Sequence, residues 1–438
     1  MSPAAWTIKQ VRFAPAPSRA LRVLALLVSM LSVSATAVAQ VNWDAWRPKE
    51  ERVVHYPDIL VTAAWVQENQ SRITLIDTRD VNAYKVAHLP GALPFPFSRT
   101  PPRPSISEVQ DELGRLGLTG KETVVLYGGD ALPLGDAFWV LEFAGQAEVK
   151  VLNGGVSAWE EAGGGLSKIK QDLKATRYQA TGRPELHSNF EKALESFGRK
   201  GTTLLDWRTP EEWAGGHIPH SLPFPLEELQ DEGGLLKSGP DMRKFFSQWG
   251  PRVHEFVDLK DHVIVCGSGP PRSVPVHPYL GARIAGIDTV SYYPHGTSEW
   301  KSHPEAPLTR LIDATEVRRR IDASWEGGKV PDLPPANLIV LDLRGRRDYE
   351  VGHIQGAVWI PPHRFQEDFP ALLREHWPGV NPQQTPVIFY CYGKTCTRSR
   401  NCSTWAGQFG FTELLWFKDG TEGWKQAGEK LVRAAGAP

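Results

Sequence analysis

The sequence predicts an α/β fold of three tandem domains, each a small central parallel sheet flanked by helices. One residue pattern recurs three times with a period of about 130 residues. Within every copy, apolar β-rich runs alternate with helical stretches, which is the pattern of parallel α/β sheets. The 438 residues suffice for two to four domains.

The N-terminal residues 1–39 have the features of a signal peptide. Four basic residues precede an apolar run over 23–33, and residues 37–39 read Ala-Val-Ala, a small-x-small cleavage pattern. The run is shorter than the roughly 20 apolar residues of a membrane span. We therefore expect a periplasmic or secreted protein without a stable membrane span after cleavage; an uncleaved anchor is the alternative.

Composition restricts the range of partners. Apolar residues make up 41% and charged residues 23% of the chain, an ordinary globular mixture. The formal net charge is −1, so there is no overall basic field to hold nucleic acid. We predict no nucleic-acid partner and only local anion binding.

Each repeat opens with a strand that ends in Asp-x-Arg, and a His follows the Asp by eleven residues. The three Asp and His pairs are Asp77 with His88, Asp206 with His217 and Asp342 with His353. A short Asp at a strand end suits an ion pair or a turn, and the His suits a satisfied turn. We interpret these residues as structural.

Each repeat then continues with a second apolar strand, a helix, a third strand and a Gly-x-x-x-Trp string whose Trp we assign to the core. Ligands of parallel sheets bind beyond the carboxyl ends of the strands. The loop after the second strand is therefore the predicted site in every copy. The predicted domain boundaries are 53–168, 184–306 and 310–436.

The four cysteines are Cys266, Cys391, Cys396 and Cys402. All lie in the later part of the chain, and two of them end predicted second strands before glycine-bearing loops. This favours two reactive sites with spare thiols over a structural disulfide framework, which stays open as the alternative. The spacing lacks the tight pairs of zinc ribbons, so we predict no metal site.

The loop that begins at Cys266 suits a nucleophile. Successive backbone N–H groups after a strand can converge on the sulfur, and Arg272 would depress the pKa of the thiol and bind a substrate anion. Pro270 and Pro271 remove two of those N–H donors. Cys266 is therefore the second candidate.

The loop that begins at Cys391 is the stronger candidate. It contains Gly393 and no proline, and Lys394, Arg398 and Arg400 are expected to surround it with positive charge. We expect Lys394, Arg398 and Gly393 to bind the substrate.

Cys396, in the same loop, has three interpretations. The first is a resolving thiol that forms a disulfide during the reaction, the second is a permanent disulfide partner, and the third is a spare thiol. Cys402, on the following helix, is expected to be buried.

Taken together, Asp-x-Arg, Gly-His-Ile-x-Gly-Ala, the strand ending in cysteine and Gly-x-x-x-Trp resemble the rhodanese superfamily over roughly residues 53–436. The resemblance implies transfer of sulfane sulfur, without a cofactor, through a cysteine persulfide. It implies a small sulfur-containing anion such as thiosulfate as donor, and cyanide, a thiol or a protein as acceptor. It places Cys266 and Cys391 in the sulfur-carrying position, and in the first copy Gly128 stands there.

Two other functions remain open. Arg272 follows Cys266 by six residues, whereas family loops use five, and Cys-x5-Arg-Ser is also the phosphate loop of cysteine-dependent phosphatases and arsenate reductases. The loop prolines and the second loop cysteine also fit a non-catalytic binding or thiol-redox module of a periplasmic oxidation system.

Overall fold

Three parallel sheets follow one another along the chain, which confirms the predicted fold class. The structure is a computed structural model that describes residues 58–95, 97, 105–128, 131–199, 201–224, 229–248, 262–269, 277–325, 335 and 337–433. The predicted signal peptide, 1–39, lies outside these residues. No helix among those described combines the length and apolar character needed to cross a bilayer.

Domain 1 has a five-stranded sheet in the order β1-β5-β4-β2-β3. Its elements are β1 (Leu60–Val61), α1 (Ala63–Asn69), β2 (Ile73–Asp77), α2 (Val81–Val86), β3 (Leu93–Pro94), α3 (Ile106–Arg115), β4 (Thr123–Tyr127), α4 (Ala131–Ala144), β5 (Glu148–Leu152) and α5 (Gly155–Glu161).

Domain 2 has a four-stranded sheet in the order β7-β6-β8-β9. After a 3-10 turn at Pro184–Leu186, its elements are α6 (Phe190–Ser196), β6 (Thr202–Asp206), α7 (Pro210–Ala214), β7 (Leu222–Pro223), α8 (Gly239–Gln248), β8 (His262–Cys266), α9 (His277–Ile284), β9 (Val290–Tyr293) and α10 (Gly296–Ser302).

Domain 3 repeats the five-stranded sheet, in the order β10-β14-β13-β11-β12. Its elements are β10 (Leu308–Leu311), α11 (Ala314–Ser324), β11 (Ile339–Asp342), α12 (Arg346–Val351), β12 (Val358–Trp359), a 3-10 turn (Pro362–Arg364), α13 (Phe365–His376), β13 (Val387–Tyr390), α14 (Arg398–Gln408), β14 (Glu413–Phe417) and α15 (Gly420–Gln426).

The central strands are apolar on both faces because helices cover both sides of each sheet. All four residues of β13, Val-Ile-Phe-Tyr, are buried, and they divide between two core clusters on opposite faces of the domain 3 sheet. Helix starts carry local signals: Ser105 and Glu108 form a capping box at α3, and Thr209 and Glu212 form one at α7. Pattern and caps thus agree with the fold.

The recurrent Asp, Arg and His residues are structural, as predicted. In domain 3, Asp342 pairs with Arg344 at 2.6 Å in the interior, and the Tyr390 hydroxyl donates to the same carboxylate at 2.6 Å. His353 stacks on Tyr349 and bonds its carbonyl through Nδ1. The other two copies repeat the ion pair and the stacked His, and the three tryptophans of the Gly-x-x-x-Trp strings are buried.

Domains 1 and 2 share one core. Helices α4 and α9 pack together, and a single apolar cluster runs from one domain into the other. At the helix contact, the Glu142 carboxylate accepts a 2.6 Å hydrogen bond from Tyr279 and pairs with Arg283 at 3.2 Å. Domain 1 therefore packs directly against domain 2.

Domains 2 and 3 are joined through β10. Thr309 of this strand pairs with Leu414 in the domain 3 sheet and also forms a backbone bridge with His217 of domain 2. The equivalent bridges in the other copies, His88 with Ser167 and His353 with Val432, stay within one domain. The strand begins at Leu308, ahead of the predicted boundary at 310.

Candidate active site

The loop after β13 is held at both ends. Cys391 follows the last strand residue, and helix α14 begins at Arg398. The carbonyl of Cys391 accepts from the Thr421 N–H at 3.1 Å. The Tyr392 hydroxyl donates to Asp348 at 2.6 Å and accepts from the Gly345 N–H at 3.0 Å. These bonds fix the loop against the turns that follow β11 and β14.

Cys391 and Cys396 form a disulfide across this loop, with their Cα atoms 6.3 Å apart. Cys391 is buried, with 1% of its surface exposed, whereas Cys396 is half-buried. The bond overturns the interpretation of Cys396 as a spare thiol. A resolving partner and a permanent partner are both consistent with it.

Two predicted substrate-binding residues have other visible contacts. The Lys394 side chain is 74% exposed, and its ammonium lies 3.8 Å from an oxygen of Asp419. Gly393 is buried against Glu422, whose carboxylate would overlap any added Cβ, and its carbonyl accepts from the Cys396 N–H at 3.0 Å. Gly393 thus shapes the turn that brings the two cysteines together.

A cavity of about 500 Å³ lies at the carboxyl ends of β11 and β12, with Arg398 from the end of the loop in its wall. Arg344 and Arg346 also line it, beside Trp359 and Trp405, and no carboxylate does. Arg344 is occupied by Asp342 and Arg346 by Glu350. Within the described part of the chain, no carboxylate pairs with exposed Arg398, whose charge is therefore available to an anion.

Arg400 does not add its charge to the loop, so that expectation is wrong. Its side chain is buried, and Nη2 donates to the carbonyls of His220 and Ser221 in domain 2, at 3.2 and 3.0 Å. His220 has a left-handed backbone, with φ of 69°. These hydrogen bonds attach the first turn of α14, directly after the loop, to domain 2.

The register of the strands shows which position of the repeat Cys266 occupies. In domains 1 and 3, the Asp of Asp-x-Arg pairs with Tyr127 and Tyr390. In domain 2, Asp206 pairs with Cys266 itself. Cys266 therefore corresponds to Tyr390, and the residue that corresponds to Cys391 is Gly267.

Hydrogen bonds from the last helix confirm this alignment. The N–H of Thr421 reaches the carbonyl of Cys391, and the N–H of Thr297 reaches that of Gly267, at 2.8 Å. In domain 1 the carbonyl of Gly128 lies against Gly155 in the same arrangement, as predicted for a copy without cysteine. The expectation that Cys266 occupies the sulfur-carrying position is wrong.

The surroundings of Cys266 are those of a core residue. Its side chain is fully buried in an apolar cluster that includes Phe190, Ile218 and Trp300. Burial raises the pKa of the Cys266 thiol well above its ordinary value, and the nearby Asp206 carboxylate raises it further. A buried neutral thiol is a poor nucleophile.

Trp207 fills the space that a cysteine would need in domain 2. A Cβ built on Gly267 would overlap the Trp207 ring, whereas domain 3 has Leu343 at the corresponding position. Counted from Gly267, Arg272 is the fifth residue, so the six-residue spacing that suggested a phosphatase loop disappears. Arg272 itself lies outside the described residues.

A family model for the rhodanese-like domain matches the chain three times, over residues 62–162, 189–303 and 328–427. The chain belongs to the rhodanese family. The three matches fall on the three sheets, and the third contains the cysteine loop described above.

Curated relatives of this rhodanese chain are sulfur-transfer proteins. A putative thiosulfate sulfurtransferase of Saccharopolyspora erythraea is 25% identical, covering 57% of this chain and 96% of its own. The sulfur carrier protein TtuD of Thermus thermophilus is 26% identical, covering 58% and 98%. A thiosulfate sulfurtransferase of Gallus gallus is 28% identical, covering 52% and 84%.

Solved structures confirm the fold. The anaerobic ergothioneine biosynthesis enzyme of Chlorobium limicola superposes with a TM-score of 0.51 at 22% identity, covering 58% of this chain and 70% of its own. At that identity the likeness concerns the rhodanese fold alone.

The sequence does contain a signal for the shifted cysteine. From Cys391 to Gly420 of the Gly-x-x-x-Trp string is 29 residues, and from Gly267 to Gly296 is also 29. Counting backwards from that string therefore aligns Gly267 with Cys391, although the same segment is two residues shorter in the first copy, with 27 residues from Gly128 to Gly155. No comparable signal marks Trp207 or Arg400, because both act through contacts distant in sequence.

Proposed function

We propose that this protein is an exported sulfurtransferase whose third rhodanese domain moves sulfane sulfur from thiosulfate, or a similar anion, to a thiol or cyanide through a persulfide on Cys391. One observation carries the proposal. Cys391 follows the last residue of β13 in a fixed loop, and Arg398 at the end of that loop lines a cavity together with two further arginines. Cys266 is buried in an apolar core, and Cys402, which belongs to the wall of this cavity, is also fully buried, with the pKa of its thiol raised by that burial.

The reaction begins once the Cys391–Cys396 bond is reduced. The Cys391 thiolate lies before the N-terminus of the eleven-residue helix α14, whose cap residue Thr397 makes no side-chain cap bond. The uncapped N–H groups and the helix dipole favour negative charge at this end. The thiolate attacks the sulfane sulfur, sulfite leaves with the bonding electron pair, and Cys391 holds the persulfide.

Arg398 supports binding of the anionic donor and of the departing sulfite. It begins α14, lines the cavity and has no carboxylate partner among the described residues. Charge-assisted hydrogen bonds from a guanidinium to an oxyanion are among the strong ones. An acceptor nucleophile then attacks the outer sulfur and restores the Cys391 thiolate.

Intact mass spectrometry tests the proposal. Mature protein is reduced, freed of reductant and treated with thiosulfate, together with Cys391→Ser, Cys266→Ser and Cys396→Ser. We expect an adduct of about 32 Da, one sulfur, in Cys396→Ser, release of sulfite from Cys266→Ser as from the unchanged protein, and neither in Cys391→Ser. An unmodified Cys396→Ser, together with no sulfite from any variant, would contradict the mechanism.

The disulfide favours a second candidate, a thiol-redox module without sulfur transfer. Such a module would exchange electrons with dithiols through Cys391 and Cys396 and would release no sulfite from thiosulfate. Export rests on the predicted signal peptide. Sequencing the N-terminus of the mature protein recovered from the periplasmic fraction tests it, with Gln40 expected as the first residue.

A further inference from the structure

We infer that Cys396 takes the place of an external sulfur acceptor. Its thiolate attacks the Cys391 persulfide, the transferred sulfur leaves as hydrogen sulfide, and the Cys391–Cys396 disulfide forms. This inference rests on the proposed function, since it needs the persulfide on Cys391. It adds an activity, the reduction of thiosulfate to sulfite and sulfide at the expense of a dithiol.

The geometry places the two sulfur atoms for this reaction. The disulfide shows that Sγ of Cys396 reaches Sγ of Cys391, the inner sulfur of a persulfide, within the folded loop. The Cys396 N–H to Gly393 carbonyl bond closes the turn between them. Attack on the inner sulfur forms the observed bond, whereas attack on the outer sulfur would leave the two cysteines unlinked.

Burial distinguishes Cys396 from the other remaining thiols. Cys402 lies within α14 in the domain 3 core, and burial raises the pKa of its thiol. Cys266 is fully buried in domain 2. Of the four cysteines, Cys396 alone is both next to Cys391 and partly open to solvent.

The steps balance in atoms and electrons. The Cys391 thiolate forms a bond to the sulfane sulfur as its bond to sulfite breaks, and sulfite leaves with the pair. The Cys396 thiolate then forms a bond to Sγ of protonated Cys391 persulfide, and HS⁻ leaves with the pair. Two cysteine thiols are oxidised by two electrons in all, and the sulfane sulfur takes up both.

An external dithiol completes the cycle. Its thiolate attacks the half-buried Cys396 sulfur, because Cys391 is only 1% exposed, and Cys391 leaves as the thiolate. The second thiol of the dithiol then frees Cys396. The net reaction turns thiosulfate and a dithiol into sulfite, sulfide and the oxidised dithiol.

A single-turnover experiment tests this on the mature full-length protein. Reduced protein, freed of reductant, receives thiosulfate without any acceptor, and sulfite, sulfide and intact mass are measured together. For wild type we expect about one sulfite and one sulfide per chain, and a final mass about 2 Da below the reduced form. Cys266→Ala, which alters a core thiol, is the matched control and should behave alike.

The variants separate this inference from the proposed function. Cys396→Ser and Cys396→Ala should release sulfite normally, retain the adduct of about 32 Da and release at least tenfold less sulfide. Sulfide release equal to wild type in both would overturn the role of Cys396, as would a stable adduct on wild type. Absence of sulfite from every variant would instead overturn the sulfurtransferase proposal.

Discussion

The ends of β8 and β13 have similar sequences but place their cysteines differently. Both strands are followed by glycine-bearing loops, and both have a cysteine at or next to the last strand residue. In domain 3 the cysteine is one position beyond the strand and enters the loop. In domain 2 it is the last strand residue, so its side chain points into the core, because a shift of one residue reverses the face of a strand.

The difference shows that a rhodanese domain can keep a cysteine without presenting it in the loop after its second strand. Gly267 takes the sulfur-carrying position, and Trp207 covers it. Domain 2 keeps the sheet, the buried Asp206–Arg208 pair and the stacked His217. What it contributes to the third domain is contact, through β10 and through the carbonyls that receive Arg400.

The largest expected difference between the two strand ends is in the rate at which their cysteines are alkylated in the reduced protein. At pH 7 we expect iodoacetamide to label Cys391 faster than Cys266, because reduction of the bond to half-buried Cys396 releases a loop cysteine, whereas Cys266 belongs to a strand and reacts only after its core opens. Peptide mapping against time measures both rates in one sample. Comparable rates for the two thiols would remove the distinction between the loops; Cys402, equally buried, is the internal control.

Arg400→Met should show how much domain 2 supports the domain 3 loop. The variant keeps the apolar stem and loses two charge-assisted bonds, so we expect the free energy of unfolding to fall by about 2–3 kcal/mol. Persulfide formation should slow several-fold through displacement of α14. Exposed Arg374→Met is the matched control, and denaturation together with thiosulfate kinetics measures both. Wild-type values for Arg400→Met would show that the contact contributes nothing.

Restoring the site in domain 2 tests the role of Trp207. Gly267→Cys alone should lower the free energy of unfolding by about 1–3 kcal/mol, because its Cβ overlaps the Trp207 ring. Adding Trp207→Leu, which copies the Leu343 arrangement, should recover much of that loss. In a Cys391→Ser background the double variant should gain a thiol that alkylates readily. An unreactive thiol at 267 would show that further features silence domain 2.

Alkaline pH should give the smallest effect. The folded pKa of Cys266 is raised by burial, so its contribution to stability is present below the ordinary thiol pKa of about 8.5 and is lost as pH rises above it. Between pH 8 and 10, the free energy of unfolding of the reduced protein should fall more steeply than that of Cys266→Ala, by up to about 1.4 kcal/mol per pH unit. Parallel curves would contradict the burial of this thiol; Cys396→Ser is the control.

Much of the fold followed from local patterns. Three Asp-x-Arg strings, apolar strands and Gly-x-x-x-Trp strings predicted three parallel sheets. The choice of Cys391 as principal candidate rested instead on its proline-free loop and the basic residues near it. The error at Cys266 arose because the run from His262 is short and apolar on both faces, so no alternation fixes its register. Asp206 also lies 60 residues before Cys266, against 48 from Asp342 to Tyr390, which disguises the alignment.

Other parts of the site lay beyond sequence reasoning. The position of Arg400 depends on packing between domains, and the bond between Cys391 and Cys396 was one of three open alternatives. Lys394 illustrates the same limit, since its pairing with Asp419 depends on how the loop folds back toward α15. Charge and spacing identify candidates, and tertiary contacts decide which of them face the cavity.

The double membership of β10 has a consequence for the proposed sulfur transfer. Thr309 is bonded to domain 2 on one side and to β14 on the other, so no free tether separates the second and third domains. A sulfur-carrying cysteine on a flexible linker could reach several separate partners. Here a strand shared between the two domains takes the place of such an arm, so in the proposed mechanism the donor and the reductant have to diffuse to a Cys391 that the fold holds in place.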